Sequence, residues 1–357
     1  MRYSVLENPR KRCHGTRKRD LMRVVLVAGA FPPAICGVGD YTRRLEIALT
    51  SAGVQVEIVT GRDCSLKNVH ALVRSLRHEP LVHIQHPTAR YDLHLGPQVL
   101  SLAVPPVVTI HEFSRFRLLD RLRACLFFAR SRHLVFTSQD ERDAACRRAP
   151  WIQAKSSVIP VGSTIRTIEG TVARSTGKIL YFGLIAPGKG IESVLKLAAL
   201  IRAGQLPYKV HIVGAVPDKL EEYARWLQSA SLQLPIQWTL NQSEQKVAEI
   251  LSESAVAYLP FPDGASDRRT SLKAVLEAGL ACITTAGTQT SESLRRAVRT
   301  ADRPEEALTI FRQLDASMET RQSLVREAHE YVKSHSWEII VRSHINLYTR
   351  LMETNGR

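Results

Sequence analysis

Residues 257 to 285 read AYLPFPDGASDRRTSLKAVLEAGLACITT, and the order of residue types in this stretch decides what surrounds it. Apolar residues from Ala257 to Phe261 form a short buried strand, which Pro262, Asp263 and Gly264 stop. A loop follows, and then Leu272, Val275 and Leu276 recur at helical spacing. Thr270 or Ser271 is placed to cap that helix and Gly279 to end it in a left-handed turn, while Ala281 to Thr285 reads as the next strand. The stretch is one strand, loop, helix, strand unit. In such a unit the loop lies at the carboxyl end of the strand, and the free N–H groups of the helix's first turn face it with partial positive charge. Arg268 and Arg269 stand in that loop, and planar guanidiniums match phosphate oxygens in pairs. A diphosphate site is the reading favoured by the surrounding Gly, Pro and Asp. The plainer alternative is a pair of solvated surface arginines.

The alternation continues on both sides. Towards the N-terminus, strands are expected at 24 to 30, 54 to 60, 81 to 86, 106 to 111, 133 to 138 and 156 to 161, with helices such as Gly39 to Leu49 and Leu66 to Leu76 between them. Residues 166 to 177 turn polar without periodicity and read as a linker. Strands then resume at 178 to 185, 208 to 215, 235 to 240, 255 to 261 and 281 to 285. Near-continuous Val, Ile and Leu strands separated by helices indicate parallel sheets covered on both faces. The fold class is thus α/β, with two doubly wound Rossmann-like domains, 22 to 165 and 178 to 325, facing each other across a cleft. Residues 326 to 357 are expected as helices packing back on the first domain, with Trp337, Ile340, Val341, Ile345 and Tyr348 forming one apolar stripe.

The 357 residues carry 44% hydrophobic and 23% charged side chains, the balance of a globular chain able to bury two cores. No apolar run approaches the roughly 20 residues that span a bilayer. Residues 1 to 21 are basic and polar, read as a disordered extension, and show no secretory signal. Met22 directly precedes the first strand, so a start at Met22 stays open beside Met1. The six cysteines are scattered without a CxxC pair, which fits a reducing cytoplasm better than a disulfide or zinc framework. A net charge of +15 calls for a polyanionic partner, whether phosphorylated substrate, anionic lipid or nucleic acid. No nucleic-acid module or basic-aromatic interleaving is present, so nucleic acid is the least favoured of these.

Several other residues invite chemistry. Lys189 follows a strand and a Pro-Gly turn, where an ammonium suits a phosphate. Gly37 and Gly39 permit close backbone approach at a helix start that Asp40 is placed to cap, so a phosphate or acceptor contact and simple turn formation weigh equally. Gly-x-Gly here is no dinucleotide fingerprint, because Thr42 stands where the third glycine belongs. His111 ends a buried strand and is expected to face the cleft rather than the core. His83 and His86 lack a third ligand at metal spacing, and no Asp-x-Asp element occurs, so no metal and no cofactor is expected. From Ser114 to Val135, six arginines interleave with Leu118, Leu119, Leu122, Leu126, Phe127 and Phe128. That pattern reads as a basic amphipathic helix suited to an anionic membrane surface, the alternative being a core-packed helix with a solvated basic face.

Four ordered motifs carry a family resemblance. Phe31 to Leu49 (FPPAICGVGDYTRRLEIAL), Val107 to Phe113 (VVTIHEF), Phe182 to Leu195 (FGLIAPGKGIESVL) and Ala257 to Thr285 together resemble the GT-B retaining glycosyltransferases of the nucleotide-sugar-dependent group 1, family 4-like, from about Met22 to Tyr348. The resemblance implies transfer of a sugar from a nucleoside diphosphate sugar to an acceptor hydroxyl with retention, as in bacterial-type polysaccharide or glycolipid assembly. It assigns the second domain to the donor and the first to a saccharide or lipid-linked acceptor. Gly183, Lys189, Asp263, Gly264, Ser266, Arg268, Arg269, Thr270, Ser271 and Glu277 then fall at the donor, with His111, Arg269 and Lys189 in the catalytic roles. The departures are specific. The family's paired glutamates fall at Ser266 and Ala274 when Gly279 is aligned, and the basic residue after the glycine of its FGR element is Leu184. The pattern is that of a variant subgroup in which arginines replace lost phosphate contacts. Two alternatives stay open: a catalytically reduced protein that binds sugar nucleotide or a partner, and a sugar-nucleotide epimerase.

Overall fold

The computed structural model describes residues 22–60, 68–88, 95–168 and 174–354. The basic extension at 1 to 21, the first residues of the helix expected at Leu66, and the middle of the linker lie outside them.

The first sheet contains β1 (Arg23–Ala28), β2 (Gln55–Thr60), β3 (Val82–His86), β4 (Val107–Ile110), β5 (His133–Phe136) and β6 (Ser156–Val158). All its pairings are parallel and the order is β2-β1-β3-β4-β5-β6. Helices α1 (Gly37–Ser51), α2 (Val69–Leu76), α3 (Gly96–Ala103), α4 (Leu118–Arg130) and α5 (Gln139–Cys146) connect the strands. The second sheet contains β7 (Ser175–Phe182), β8 (Lys209–Gly214), β9 (Ile236–Leu240), β10 (Ser254–Leu259), β11 (Ala281–Thr284) and the two-residue β12 (Arg299–Thr300). It too is parallel, ordered β12-β11-β10-β7-β8-β9. Its helices are α6 (Ile191–Ala203), α7 (Glu221–Ala230), α8 (Glu244–Glu253), α9 (Thr270–Glu277), α10 (Glu292–Ala297) and α11 (Pro304–Ala316), followed by α12 (Met318–Lys333) and α13 (Trp337–Glu353). Two doubly wound α/β sheets therefore stand as expected.

Strand order positions the site. Each sheet has a switch point where its connections change direction, between β1 and β3 in the first and between β7 and β10 in the second, and crevices open at the carboxyl ends there. The glycine loop follows β1, and the Lys189 loop and the Asp263 to Arg269 loop follow β7 and β10. Close packing holds the last two together. A side chain at Gly190, which has φ +81°, would place its Cβ 1.8 Å from the Pro260 carbonyl oxygen. Only glycine fits that contact without moving a backbone.

Several elements differ from expectation. β10 stops at Leu259, because Pro260 has no N–H to continue the ladder. Neither Thr270 nor Ser271 caps α9. The N-cap is Arg269, in extended conformation and without a side-chain cap, so both hydroxyl residues lie inside the first turn. The other end is as expected: Gly279 has φ +77°, with Leu280 N–H donating to Val275 O and Gly279 N–H to Leu276 O, the paired bonds of a Schellman turn. Asp40 lies in the first turn of α1 and does not cap it, since Cys36 is the N-cap. The Ser114 to Val135 stretch is not one helix. It divides into a 3-10 turn (Phe113–Arg115), α4 and the start of β5, and Phe127 and Phe128 are buried in the first core.

The C-terminal helices also part company. Leu324, Ala328 and Tyr331 of α12 belong to the core of the second sheet, so residues 326 to 333 do not pack on the first domain as expected. Only α13 returns. Its Ile340, Val341, Leu347 and Tyr348 join Val24, Leu26, Tyr41, Leu45 and Leu49, burying the face of the first sheet that α1 alone leaves incomplete. Among the described residues no helix is long and apolar enough to cross a membrane.

Candidate functional site

A cavity of about 670 Å³ opens between the two sheets at their carboxyl ends. Of the residues singled out in the sequence, Gly37, Asp40, His111, Gly183, Lys189, Arg268, Arg269, Thr270 and Ser271 line it. Gly39, Asp263, Gly264, Ser266 and Glu277 do not. Gly39 is structural, since a Cβ there would sit 2.7 Å from the Ala30 carbonyl oxygen where α1 meets the end of β1. Gly37 has open space around it. Gly264 packs its backbone against Gly287. Ser266 is buried with no partner for its hydroxyl. Glu277 stands behind Arg44, which lines the cavity, and burial raises its pKa against the opposing pull of Arg44 and Ser163.

The two arginines have separate fates. Arg268, expected to hold phosphate, is already engaged: Nη1 donates to Glu141 Oε1 at 3.0 Å and to Ser114 Oγ at 3.1 Å, and Nη2 donates to Asp263 Oδ2 at 2.8 Å. Glu141 lies on α5 of the first sheet and is fully buried, and Ser114 N–H and Oγ–H donate to it at 2.7 and 2.5 Å. Arg268 is thereby an ionic tie between the two halves of the molecule. Arg269 also bonds Asp263, stacks its guanidinium 4.6 Å over the Phe261 ring, and leaves Nε without a partner. Burial works to raise the Asp263 pKa, but Arg269 and Arg268 outweigh it and hold the carboxyl below its usual range. Asp263 is therefore a clamp that aims both guanidiniums.

Lys189 is half-buried and makes no ion pair among the described residues. Burial first, and then repulsion from Arg269, lower its pKa. Two cations thus face one region of the cavity with only Asp263 bonded to either, beneath the first turn of α9, whose N–H groups no side chain caps. An anion there relieves the repulsion and meets the helix end. From the first sheet, the uncapped N-terminus of α1 and His111 line the same space. His111 is buried, lies edge-on to Tyr41 with ring centroids 5.2 Å apart, and is held down to about 3 by burial, so its imidazole is neutral at working pH.

An acidic corner joins Asp40, already singled out, to Glu244, which no motif marks. Burial pushes the Asp40 pKa up to about 6, and Glu244 at the start of α8 adds to the effect from the second sheet. Arg43, Arg44, Tyr41 and Glu112 line the cavity as well. Their only sequence signal is position next to a recognised motif. Glu244 reads as an ordinary first-turn acid behind the Ser243 cap, which it is locally.

No protein-family model and no curated protein matches the chain. Solved structures do. HepE from Anabaena, in complex with UDP and glucose, superposes with a TM-score of 0.69 at 11% identity, covering 92% of this chain and 100% of that one. Sucrose-phosphate synthase from Thermosynechococcus elongatus gives 0.69 at 15% identity, covering 93% and 100%. WaaG, a glycosyltransferase involved in lipopolysaccharide biosynthesis, gives 0.63 at 14% identity, covering 91% and 99%. At these identities the likeness establishes the fold, two Rossmann-like domains in the GT-B arrangement.

Proposed function

We propose that the chain is a glycosyltransferase that moves a sugar from a nucleoside diphosphate sugar to an acceptor hydroxyl. The observation that carries this reading is the pairing of Lys189 and Arg269 beneath the open first turn of α9, at the switch point of the second sheet and across the cavity from His111. The donor class is supported by the structural neighbour HepE, solved with UDP, with UDP-glucose, and with UDP and glucose. In this reading the diphosphate lies between Lys189, Arg269 and the α9 N-terminus, and the acceptor enters from the α1 side. Transfer retains the anomeric configuration. The acceptor oxygen bonds to the anomeric carbon on the face the diphosphate leaves, the bond from that carbon to the phosphate oxygen breaks, and the acceptor proton passes to the departing phosphate. No nucleophile from the chain is required. The pathway is polysaccharide or glycolipid assembly of the bacterial type, on the cytoplasmic side of the membrane.

A donor panel tests the reading. Nucleoside diphosphate should be released from one donor, faster when a saccharide or lipid-linked acceptor is present, with the sugar recovered on that acceptor. Donor binding in calorimetry with no release under any acceptor identifies a catalytically reduced protein, a reading favoured by Ser266 and Ala274 in place of the family's glutamates. A changed sugar without transfer identifies an epimerase.

The acceptor side adds a surface. Leu118, Leu119 and Leu122 of α4 are 72%, 66% and 58% exposed, beside the exposed Arg115 and Arg117. Apolar side chains ringed by basic ones suit an anionic leaflet, with about 1 kcal/mol for each basic residue near the surface. In liposome flotation at low salt the protein should rise with vesicles rich in anionic lipid and stay behind with neutral ones. Serine at all three leucines should abolish the recovery. Equal recovery on both vesicle types removes the idea.

A further inference from the structure

The side chain of His111 ends a line of buried hydrogen bonds that begins on the returning C-terminal helix. Tyr348 of α13 places its hydroxyl 2.6 Å from His83 Nδ1. The other nitrogen of that ring, His83 Nε2, lies 2.7 Å from Thr109 Oγ1 and 3.2 Å from the amide nitrogen of Gln85. Gln85 Oε1 in turn lies 3.0 Å from His111 Nε2. His83 and Gln85 are on β3 and Thr109 is on β4, the strand that His111 follows. His83, Gln85, Thr109 and Tyr348 are at most 1% exposed, so these atoms are shut off from bulk solvent.

The orientation of the Gln85 amide, with Oε1 toward His111 and Nε2 toward His83, sets the rest of the line. An amide nitrogen only donates and an amide oxygen only accepts. In that orientation Gln85 Nε2 donates to His83 Nε2, which carries its one lone pair, and the closer Thr109 hydroxyl shares that lone pair as a second donor. The His83 proton then sits on Nδ1 and is donated to the Tyr348 oxygen. At the other end, Gln85 Oε1 accepts from His111, which places the His111 proton on Nε2. Burial holds both rings in the neutral form, where a single proton is distributed between two nitrogens.

We propose that Gln85 is a positioning residue that holds His111 as the Nε2–H tautomer, so that the ring lining the cavity presents a bare Nδ1 as a hydrogen-bond acceptor. No hydrogen bond to Nδ1 is made among the described residues, and the atom is not among the buried, unpartnered ones. Resting on the glycosyl-transfer reading, that nitrogen receives a hydroxyl proton donor of the transferred sugar or of the acceptor. A carbonyl or other pure acceptor is refused at this position. Tyr348 gives α13 a share in the arrangement: the helix that covers the first sheet also terminates the line of bonds orienting the site.

Long-range 1H–15N correlation spectra of uniformly 15N-labelled protein decide the tautomer without reference to activity. His111 should show a protonated Nε2 and an unprotonated Nδ1, and His83 the reverse. A His111 protonated on Nδ1, or an even mixture of the two forms, overturns the proposal. Gln85→Leu should move the His111 nitrogens toward the shifts of exchanging tautomers while the methyl spectrum of the cores stays native. In the transfer assay the same variant should lose about tenfold in kcat/KM, the worth of one hydrogen bond. Unchanged His111 shifts in a folded Gln85→Leu protein sink the positioning role. If the wild-type tautomer is as stated but no donor is turned over, the functional reading fails and the tautomer assignment stands.

Discussion

Lys189→Ala is expected to lower the rate of nucleoside diphosphate release by about 10²-fold or more, and Arg269→Ala by a similar factor. The departing diphosphate carries more charge than the bound donor, so a cation beside it stabilises the transition state more than the ground state. The loss should therefore fall mainly in kcat. Among the described residues Lys189 bonds no carboxylate, so its removal leaves no orphaned charge there and stability should change by less than about 0.5 kcal/mol. Arg269 is different. The sequence places it in a loop, where exposure is the natural expectation, but it is 6% exposed, bonded to Asp263 and stacked on Phe261. Its truncation removes buried packing as well as charge, so turnover is best compared per mole of folded protein. Glu277→Gln is the control. Glu277 lies outside the cavity, and the glutamine variant should keep near-normal turnover. If it is inactive while both cation variants retain full turnover and donor affinity, the diphosphate lies elsewhere and Glu277 has assumed the lost carboxylate role.

What the sequence showed and what it hid divide along contact distance. The run from Ala257 to Thr285 announces its strand, loop, helix and strand because period and punctuation are local properties, and Gly279 ends α9 by a rule that operates within six residues. Lys189 and Arg269 are placed by the same local logic, since a residue just past a parallel strand must stand at the crevice. Arg268 is indistinguishable from Arg269 by that logic. Its partner Glu141 is 127 positions away on the other sheet, and nothing near Glu141 marks it as the partner. The same limit hid the approach of Glu244 to Asp40 and the line from Tyr348 to His111, 265 residues separating Tyr348 from its first partner His83. Phe127 and Phe128 fail in a related way. They share an amphipathic pattern with Leu118 and Leu122, and only the position of the first sheet decides which of the four are covered.

Glu141→Ala is expected to destabilise the protein by about 3 kcal/mol or more, although the residue belongs to no recognised motif. Its carboxylate accepts from Ser114 N–H, Ser114 Oγ–H and Arg268 Nη1, and none of these donors gains another partner when it is removed. The guanidinium is the costly one. Arg268 keeps Asp263, but the Asp263 carboxylate is already shared with Arg269, so one anion is left to serve two buried cations. Arg268→Ala should cost less, because Glu141 then retains both Ser114 bonds and Asp263 retains Arg269. The double variant should be little worse than Glu141→Ala alone, since deleting the cation removes the orphaned charge that the first substitution creates. Denaturant unfolding followed separately by probes in each half reads the cycle and shows whether the two halves still unfold together. The pair also joins the Asp263 loop to the first sheet. Its loss should weaken donor binding through Arg269 even in variants that remain folded. Additive destabilisation across the cycle, with donor affinity unchanged in the folded single variants, would show that Arg268 and Glu141 act independently and that the tie between the sheets contributes nothing to the site.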